Sequence, residues 1–376
     1  MTTTELDRIN CIAKRIKKYL MDKGIPENNI SVLTRSQNFG NNVVDDIRVK
    51  DHLGVICESY RIEPPRGDIQ VSDSHLVFKA SVQGDTLKLD AEEDFCVTSV
   101  GDYLQKIEKC HYPDSGITNF YRGHSNLSYL NIPKIYRAVP GMSGVRYVEK
   151  ESVLFKQAVL ECSSDFPTSM PTFDMLAKMR HFELPTRLLD ISKNPLVGLF
   201  FAAQSNHDKD GEVLIYKIPK KEIYYYNSDT VCILANIAKQ KDDEFEIPNL
   251  PCETEQEIEL FNKSKAMGYL LHDIRTERME FYPIIRKSDM QSVICVMPRK
   301  NTERIQAQDG AFFIYGIAGK KADCAINKYV PTRLVIKADK KQKIISELKH
   351  LSIDEPHLFP SLDKRLIHIT NNFLEY

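Results

Sequence analysis

The chain has 376 residues, of which 42% are hydrophobic, and a formal net charge of −1. This length allows two or three domains with sizeable cores, and the composition is that of a globular protein. A net charge near zero gives no overall electrostatic reason to expect binding of nucleic acid or of a membrane surface. No stretch approaches the roughly 20 apolar residues of a membrane span. The first residues also lack the apolar run of a secretory signal, so we expect a cytoplasmic protein.

Nine cysteines are scattered along the chain without a CxxC pair and without histidines at ligand spacing. In a cytoplasmic protein this pattern indicates free thiols rather than disulfides or a zinc site, and we expect no bound metal. Two basic runs, residues 14–18 and 340–349, lie in amphipathic helical patterns. A solvated basic face is the simpler interpretation of both runs.

The first 92 residues predict a small N-terminal unit of mixed α+β structure and unknown role. Apolar residues at helical spacing predict a helix over residues 6–23, which ends before Gly24. Strands are predicted where β-type runs are bounded by turn residues, at residues 30–33, 55–62, 75–82 and 86–91. We place the domain boundary near residue 92.

Residues 93–376 predict a larger α+β domain. Thr98 and Ser99 are placed to cap a helix, and Thr172 is placed to cap another that ends near His181. The predicted strands are residues 116–123, 211–218, 279–285, 292–298, 311–316 and 333–338, and the predicted helices fall within 149–181, 230–239 and 340–348. Because strands and helices do not alternate strictly, α+β is favoured over a doubly wound sheet. The chain has no glycine-rich nucleotide loop.

The run from His181 to Gln204 combines polar groups with a wholly apolar helix. Asn194 and Pro195 begin that helix, and its apolar surface on every side predicts burial. Thr186, Arg187 and Asp190 are therefore expected at the rim of the core. Arg187 either bridges Asp190 and nearby carbonyls as a structural clip or contacts a ligand, and the residues alone leave both readings open.

Two other segments place an arginine beside an aromatic residue. Tyr121-Arg122-Gly123-His124 ends an apolar strand, where Arg122 can direct two donors at a phosphate and Gly123 allows a ligand close to the backbone. Arg137 follows Tyr136. Taken alone, the first segment is typical of a turn and the second of an exposed loop.

A fourth segment, Gln308-Asp309-Gly310, leads directly into a strand. Gln308 is a neutral donor and acceptor that can hold a ribose hydroxyl or an amide, whereas Asp309 can serve the turn alone.

Taken together, these segments resemble the FRG family, which is named for a Phe-Arg-Gly motif. The matching residues are Tyr121-Arg122-Gly123, Leu130 to Arg137 with one extra residue before the proline, Glu151 to Phe155, His181 to Asp190 with Asn194-Pro195, and Arg304, Gln308, Gly310 and Phe312. The resemblance spans residues 98–320. Glu183 departs from it by standing at a glycine position, and Ile191-Ser192 replace a Trp-Thr pair.

The motif order is similar to that of ADP-ribosyltransferase-like folds and implies NAD as the substrate. By this resemblance Arg122, Thr186 and Gln308 are the catalytic residues. Arg122 grips the phosphate side of NAD, Thr186 shapes the nicotinamide pocket and Gln308 holds the nicotinamide ribose. The residues implied in binding NAD or a related nucleotide are Tyr121, Arg122, Gly123, His124, Arg137, His181, Thr186, Arg187 and Asp190.

Two functions follow from the resemblance. The first is an NAD-consuming ADP-ribosyltransferase or NAD glycohydrolase, with a protein or nucleic-acid acceptor in the former case, acting as a toxin or antiviral defence effector. The second is a non-catalytic nucleotide-binding or interaction module that senses a ligand. Gln308 cannot act as a base where many such transferases carry Glu, and Asp309 or Glu303 would have to substitute. No sequence motif supports a metal-dependent hydrolase or a serine nucleophile.

Overall fold

The structure is a computed structural model. It describes the backbone of six strands between residues 31 and 91 and, further on, residues 96–110, 116–142, 144–329 and 331–362, with a few positions up to residue 373. The helix predicted over residues 6–23 and the basic run at residues 14–18 lie outside the described residues.

The six N-terminal strands form one antiparallel sheet in the order of the sequence. They are β1 (Ser31–Phe39), β2 (Asn42–Lys50), β3 (Ile56–Glu63), β4 (Ile69–Ser72), β5 (Val77–Gln83) and β6 (Thr86–Ala91). The four predicted strands fall in β1, β3, β5 and β6, whereas β2 and β4 were not predicted. The boundary near residue 92 remains a prediction.

A second sheet of eight strands has the order β11-β12-β13-β9-β8-β10-β14-β7. Its strands are β7 (Cys96–Val97), β8 (Ile117–His124), β9 (Leu188–Ser192), β10 (Gly211–Pro219), β11 (Ile223–Tyr225), β12 (Val293–Met297), β13 (Gly310–Tyr315) and β14 (Thr332–Ile336). Neighbours are antiparallel except at the two edges, where β11 pairs with β12 and β14 with β7 in parallel. This mixed sheet with separate helices confirms the α+β class.

Eleven α-helices accompany the second sheet within the described residues. They are α1 (Val100–Cys110), α2 (Glu151–Glu161), α3 (Thr172–His181), α4 (Pro195–Ala203), α5 (Asp229–Asn236), α6 (Glu255–Asn262), α7 (Lys265–Glu277), α8 (Lys287–Met290), α9 (Glu303–Ala307), α10 (Lys341–Lys349) and α11 (Glu355–Leu358). As predicted, Ser99 caps α1 by accepting a hydrogen bond from the Asp102 backbone, and the Asn194 side chain caps α4 with Pro195 at its first position.

The second sheet is nearly divided in two between β8 and β9. The strands β8 and β10 pair over eight residues, whereas β8 and β9 are joined by one pair, Tyr121 with Ser192. Backbone groups on either side of that pair are therefore available to side chains. The four strands from β9 to β11 lie on one side of this split, and the four from β8 to β7 lie on the other.

Side chains on each strand alternate between two buried faces. On one face, a cluster that includes Phe120, Tyr216 and Phe313 spans both halves of the sheet. The opposite face is covered in two parts: α1, α4 and α10 contribute to a cluster against the β8 half, and α3, α5 and α7 to a cluster against the β9 half. The split therefore lies between two separate helical layers.

Helix α3 is capped differently from the prediction. Thr172 is its first helical residue, the cap position is held by Pro171, and no cap side chain bonds the first turn. Instead Glu277 of α7 accepts hydrogen bonds from the Thr172 backbone nitrogen at 2.6 Å and from its hydroxyl at 3.0 Å. A carboxylate at a helix N-terminus is favourable because it meets unpaired N–H groups and the positive end of the helix dipole.

The strand predicted at residues 279–285 is wrong. These residues form neither strand nor helix, and Met279, Tyr282 and Ile284 are exposed. Pro283 within the run lacks the N–H that a ladder needs, which disfavours pairing. The strands at 211–218, 292–298, 311–316 and 333–338 are confirmed as β10, β12, β13 and β14, whereas β7, β9 and β11 were not predicted.

Candidate functional site

Arg122 spans the split between β8 and β9. Its Nη1 donates a hydrogen bond of 2.6 Å to the main-chain oxygen of Asp190, replacing the ladder bonds that the divided strands do not make. Its Nε donates to Nε2 of His124 at 3.1 Å. Arg122 is therefore held by both halves of the sheet.

Gly123 occupies a position where helix α4 lies directly against the strand. A Cβ atom at Gly123 would lie against the main-chain oxygen of Gly198 and 2.5 Å from the nitrogen of Ala202. Gly198 in turn lies so close that its own Cβ would be 2.9 Å from Cβ of Tyr121. The sequence predicted that Gly123 gives a ligand access to the backbone, but α4 fills that space. Tyr121 is buried in the cluster beneath α4.

Asp190 is ion-paired with Arg180, which lies in the last turn of helix α3, one residue before His181. Arg180 donates to Oδ2 of Asp190 from Nε at 2.9 Å, and its Nη2 lies 2.7 Å from the same oxygen. Burial acts to raise the pKa of Asp190, but the charges of Arg180, Arg122 and Arg304 outweigh it and lower that pKa. Nη1 of Arg180 is buried and makes no hydrogen bond within the described part of the chain.

Two more arginines complete a group that we call the arginine cluster: Arg122, Arg137, Arg180 and Arg304. Arg137 donates to the main-chain oxygens of Leu130 and Ile132, and Arg304 donates to that of His181 at 2.9 Å. Burial and the charges of Arg122 and Arg180 lower the pKa of Arg137 to about 10. The guanidinium of Arg304 lies 4.8 Å from the ring centre of Phe359.

Negative charge in the arginine cluster is scarce. Asp190 is the carboxylate that acts on all four arginines, whereas Glu183 acts on Arg180 and Arg304, and Glu212 interacts with Arg122. His181 adds no charge, because burial and the neighbouring Arg304 lower its pKa and keep the ring neutral at physiological pH. The geometry thus concentrates positive charge at the split.

Glu183 lies just beyond α3 in a left-handed conformation, with φ of 68°. The Leu184 nitrogen bonds back to the oxygen of Met179 at 3.0 Å, which is a helix ending that normally uses glycine. A side chain here costs about 1 kcal/mol relative to glycine. The Lys134 ammonium group donates to the Glu183 main-chain oxygen at 3.0 Å, while the carboxylate is exposed beside Arg180 and Arg304.

Arg187 does not bridge Asp190, so that prediction is wrong. Arg187 is fully buried and bonds instead to Glu151, with Nε at 3.0 Å from Oε1, and to the Tyr315 main-chain oxygen at 2.9 Å. Thr186 is also buried, and its hydroxyl accepts a 3.4 Å bond from the Leu188 nitrogen. Both residues lie within the core rather than at its rim, and the ligand roles implied for them remain predictions.

Gln308 lies on the opposite side of β9 from Arg122. The Ser192 hydroxyl donates to the main-chain oxygen of Gln308 at 2.6 Å, and Ser192 also pairs with Tyr121 of β8. The Gln308 amide nitrogen donates to the Leu358 oxygen at 3.0 Å. Gln308 therefore lies near the split, but its described contacts are structural.

The two acids considered as substitutes for Gln308 are placed differently. Asp309 has a left-handed φ of 42° and pairs with Lys300 at 2.7 Å. Glu303 is an exposed residue in the first turn of α9. Neither side chain has a hydrogen bond or an ion pair with the described side chains of the arginine cluster.

Four charged residues of this region were not predicted from the sequence: Arg180, Glu212, Arg333 and Glu151. Glu212 and Arg333 are charged residues within apolar strands, and both are fully buried. A charge in such a strand was the available signal, because it requires a buried partner. Glu151 was quoted only as part of a helix motif, and nothing local connects it with Arg187.

The family model of the FRG domain matches residues 118–211. The chain contains an FRG domain. The match begins in β8 and ends at the start of β10, so the FRG domain includes Arg122, Arg137, Arg180 and Asp190, whereas Arg304 and Gln308 lie beyond it. It covers less than the 98–320 span of the sequence resemblance. No curated protein and no solved structure matches the chain.

Two further properties of the FRG domain protein concern the described residues alone. These residues contain no group of three or more histidine, cysteine, aspartate or glutamate side chains arranged to hold a metal ion. Among their helices, none has the length and apolar character needed to cross a bilayer.

Proposed function

We propose that the arginine cluster binds a phosphate-bearing nucleotide. The observation that carries this proposal is the buried, unpartnered Nη1 of Arg180 in a group of four arginines. A buried donor without a partner is costly, and arginine binds phosphate oxygens with paired, charge-assisted hydrogen bonds. A diphosphate at the split would satisfy this donor and offset the excess positive charge.

NAD and ADP-ribose fit this chemistry because each carries a diphosphate between two nucleoside halves. In this proposal Arg180 and Arg304 contact the phosphates, and Arg122 and Asp190 hold the two sides of the split in register. Arg137 contributes charge while its donors remain on the Leu130 and Ile132 oxygens. In this proposal Gln308, which lies near the split, contacts the ribose that carries nicotinamide.

Binding is tested by calorimetric titration of the purified protein with ADP, ADP-ribose, NAD, pyrophosphate and adenosine. We expect the phosphate-bearing probes to bind and adenosine to bind far more weakly. Arg304→Gln and Arg180→Gln should each weaken ADP binding by about 10- to 100-fold, the effect of losing one charged hydrogen bond. Arg286→Gln removes an exposed arginine outside the cluster and is the matched control. Equal affinity for ADP and adenosine, or equal losses in all three variants, would refute the proposal.

NAD turnover is the second candidate, favoured by the position of Gln308 across β9 from Arg122. Loosening the glycosidic bond to nicotinamide would form an oxocarbenium-like centre, which an acceptor or water then attacks. Depletion of NAD by this route would suit a toxin or defence effector. The test is nicotinamide release from NAD, with mass spectrometry for ADP-ribose adducts. No release and no adduct in a protein that binds NAD would refute turnover and leave binding as the function.

A further inference from the structure

A row of four polar side chains, one half-buried and three buried, crosses three strands behind the split. Arg122 and His124 lie on β8, Glu212 on β10 and Arg333 on β14. His124 is 3% exposed and Glu212 is fully buried. His124 and Glu212 are direct cross-strand partners, so their side chains leave the sheet side by side.

The hydrogen bonds along this row fix the tautomer of His124. An arginine only donates, so the 3.1 Å bond from Nε of Arg122 requires Nε2 of His124 to be an acceptor without a proton. The proton of a neutral ring then lies on Nδ1, which is 3.0 Å from Oε1 of Glu212 and donates to it. Glu212 is held in turn by its ion pair with Arg333.

The charges around the ring favour this neutral form. Burial is the largest influence on His124 and, with the charges of Arg122, Arg333 and Arg137, holds its pKa well below the usual 6.5. Glu212 is the acid in contact with the ring, and burial raises its own pKa to about 7 although Arg333 acts to lower it. The Tyr129 ring meets the imidazole edge to face with centroids 6.2 Å apart.

We propose that His124 is a positioning residue for ligand binding: its neutral Nδ1–H tautomer, oriented by Glu212, directs the guanidinium of Arg122 into the split. Arg122 has donors on two sides, one bonded to His124 and one to the Asp190 oxygen. Without the acceptor at Nε2 of His124, the guanidinium of Arg122 can rotate about the terminal bonds of its side chain. The two half-sheets on either side of the split are then no longer held in register, and the arginines of the cluster lose their relative positions. The ligand-binding consequence rests on the proposed function, whereas the tautomer does not.

The two amide substitutions of His124 separate its two hydrogen bonds. A glutamine amide reaches the Nε2 position and retains an acceptor for Arg122, whereas an asparagine amide reaches the Nδ1 position and retains only the partner of Glu212. We expect His124→Gln to bind ADP within about threefold of the wild-type chain and His124→Asn to bind about tenfold more weakly, the size of one lost charged hydrogen bond. If His124 had only a structural role, the ADP affinity of His124→Gln would not exceed that of His124→Asn. Equal affinity of the two, or tighter binding by His124→Asn, overturns the proposal.

The tautomer is measured without any ligand, by ¹⁵N nuclear magnetic resonance of the imidazole nitrogens at pH 7. We expect a protonated Nδ1 and an unprotonated Nε2 in the wild-type chain. A ring protonated on Nε2, or on both nitrogens, overturns the inference whatever the ligand results. If the wild-type chain binds no phosphate-bearing probe, the proposed function fails, and the imidazole measurement still decides whether His124 holds Arg122.

Discussion

Removing Glu151 is expected to destabilise the FRG domain severely, because Arg187 would be left buried without its counter-ion. Arg187 is fully buried and makes two of its three side-chain hydrogen bonds to Glu151. Loss of one partner of a buried ion pair costs about 3–5 kcal/mol. The ammonium group of Lys321 also lies 3.6 Å from Glu151, so Glu151→Ala removes a carboxylate from two buried cations, of which Lys321 keeps its ion pair with Asp242. We therefore expect the upper part of that range.

The free energy of unfolding is measured by urea denaturation followed by far-ultraviolet circular dichroism. Glu161→Ala is the matched control, because it removes an exposed glutamate from the same helix α2 and should change the free energy by less than about 0.5 kcal/mol. The double variant Glu151→Leu, Arg187→Met removes both charges. It should recover most of the lost stability, since a buried ion pair is replaceable by apolar residues of similar volume at little net cost.

Two outcomes would refute this reasoning. A loss below about 1 kcal/mol for Glu151→Ala would mean that Arg187 does not depend on this carboxylate. A double variant that is stable but no longer binds ADP would mean that Arg187 contacts the ligand, as the family resemblance implied. We expect the double variant to bind ADP as the wild-type chain does.

The remaining predictions concern two glycines, one strained glutamate and one histidine. Gly123→Ala should lower the free energy of unfolding, measured by urea denaturation, by more than about 3 kcal/mol, because the backbone of α4 fills the space that the added Cβ needs. Gly268→Ala, whose Cβ would lie in open space on α7, should raise this free energy by about 0.5–1 kcal/mol. Glu183→Gly should stabilise by about 1 kcal/mol and tighten ADP binding more than AMP binding in calorimetry; unchanged affinities would contradict its electrostatic role. His124 has a lowered folded pKa, so it contributes stability above pH 6.5 that is lost as the pH falls, while the raised pKa of Glu212 acts oppositely. Below pH 6.5 the free energy of unfolding of His124→Gln, measured by urea denaturation, should therefore rise relative to that of the wild-type chain by up to about 1.4 kcal/mol per pH unit. Parallel plots of this free energy against pH for the two proteins would contradict the prediction.

Strong periodicity and local capping were predictable from the sequence. The apolar helix α4 and the strands β10 and β13 have patterns that tertiary contacts reinforce, so their positions followed from the chain alone. The five-residue β9 has no such pattern, because Asp190 interrupts its apolar run. The run at residues 279–285 is apolar enough for a strand, and Pro283 was the signal in its sequence against pairing.

Proximity of the candidate site residues was predictable, but their pairing was not. The motif order brought Arg122, Asp190 and Gln308 to the same region, as the contacts across β9 show. Arg187 and Arg180 are both within ten residues of Asp190, and the sequence offered no means to choose between them. The choice follows from strand and helix geometry: Arg180 lies in the last turn of α3 beside Asp190, while Arg187 precedes β9 in the core.

The dipeptide Arg122-Gly123 joins the site to the core because adjacent residues of a strand face opposite sides of a sheet. Gly123 faces α4, which lies so close that no side chain fits. Arg122 leaves the other face and reaches across the split to the Asp190 oxygen. A displacement of α4 would therefore shift the backbone that carries Arg122, and with it the alignment of the two half-sheets. The position of the arginine cluster thus depends on the packing of a helix that itself contributes no charge to it.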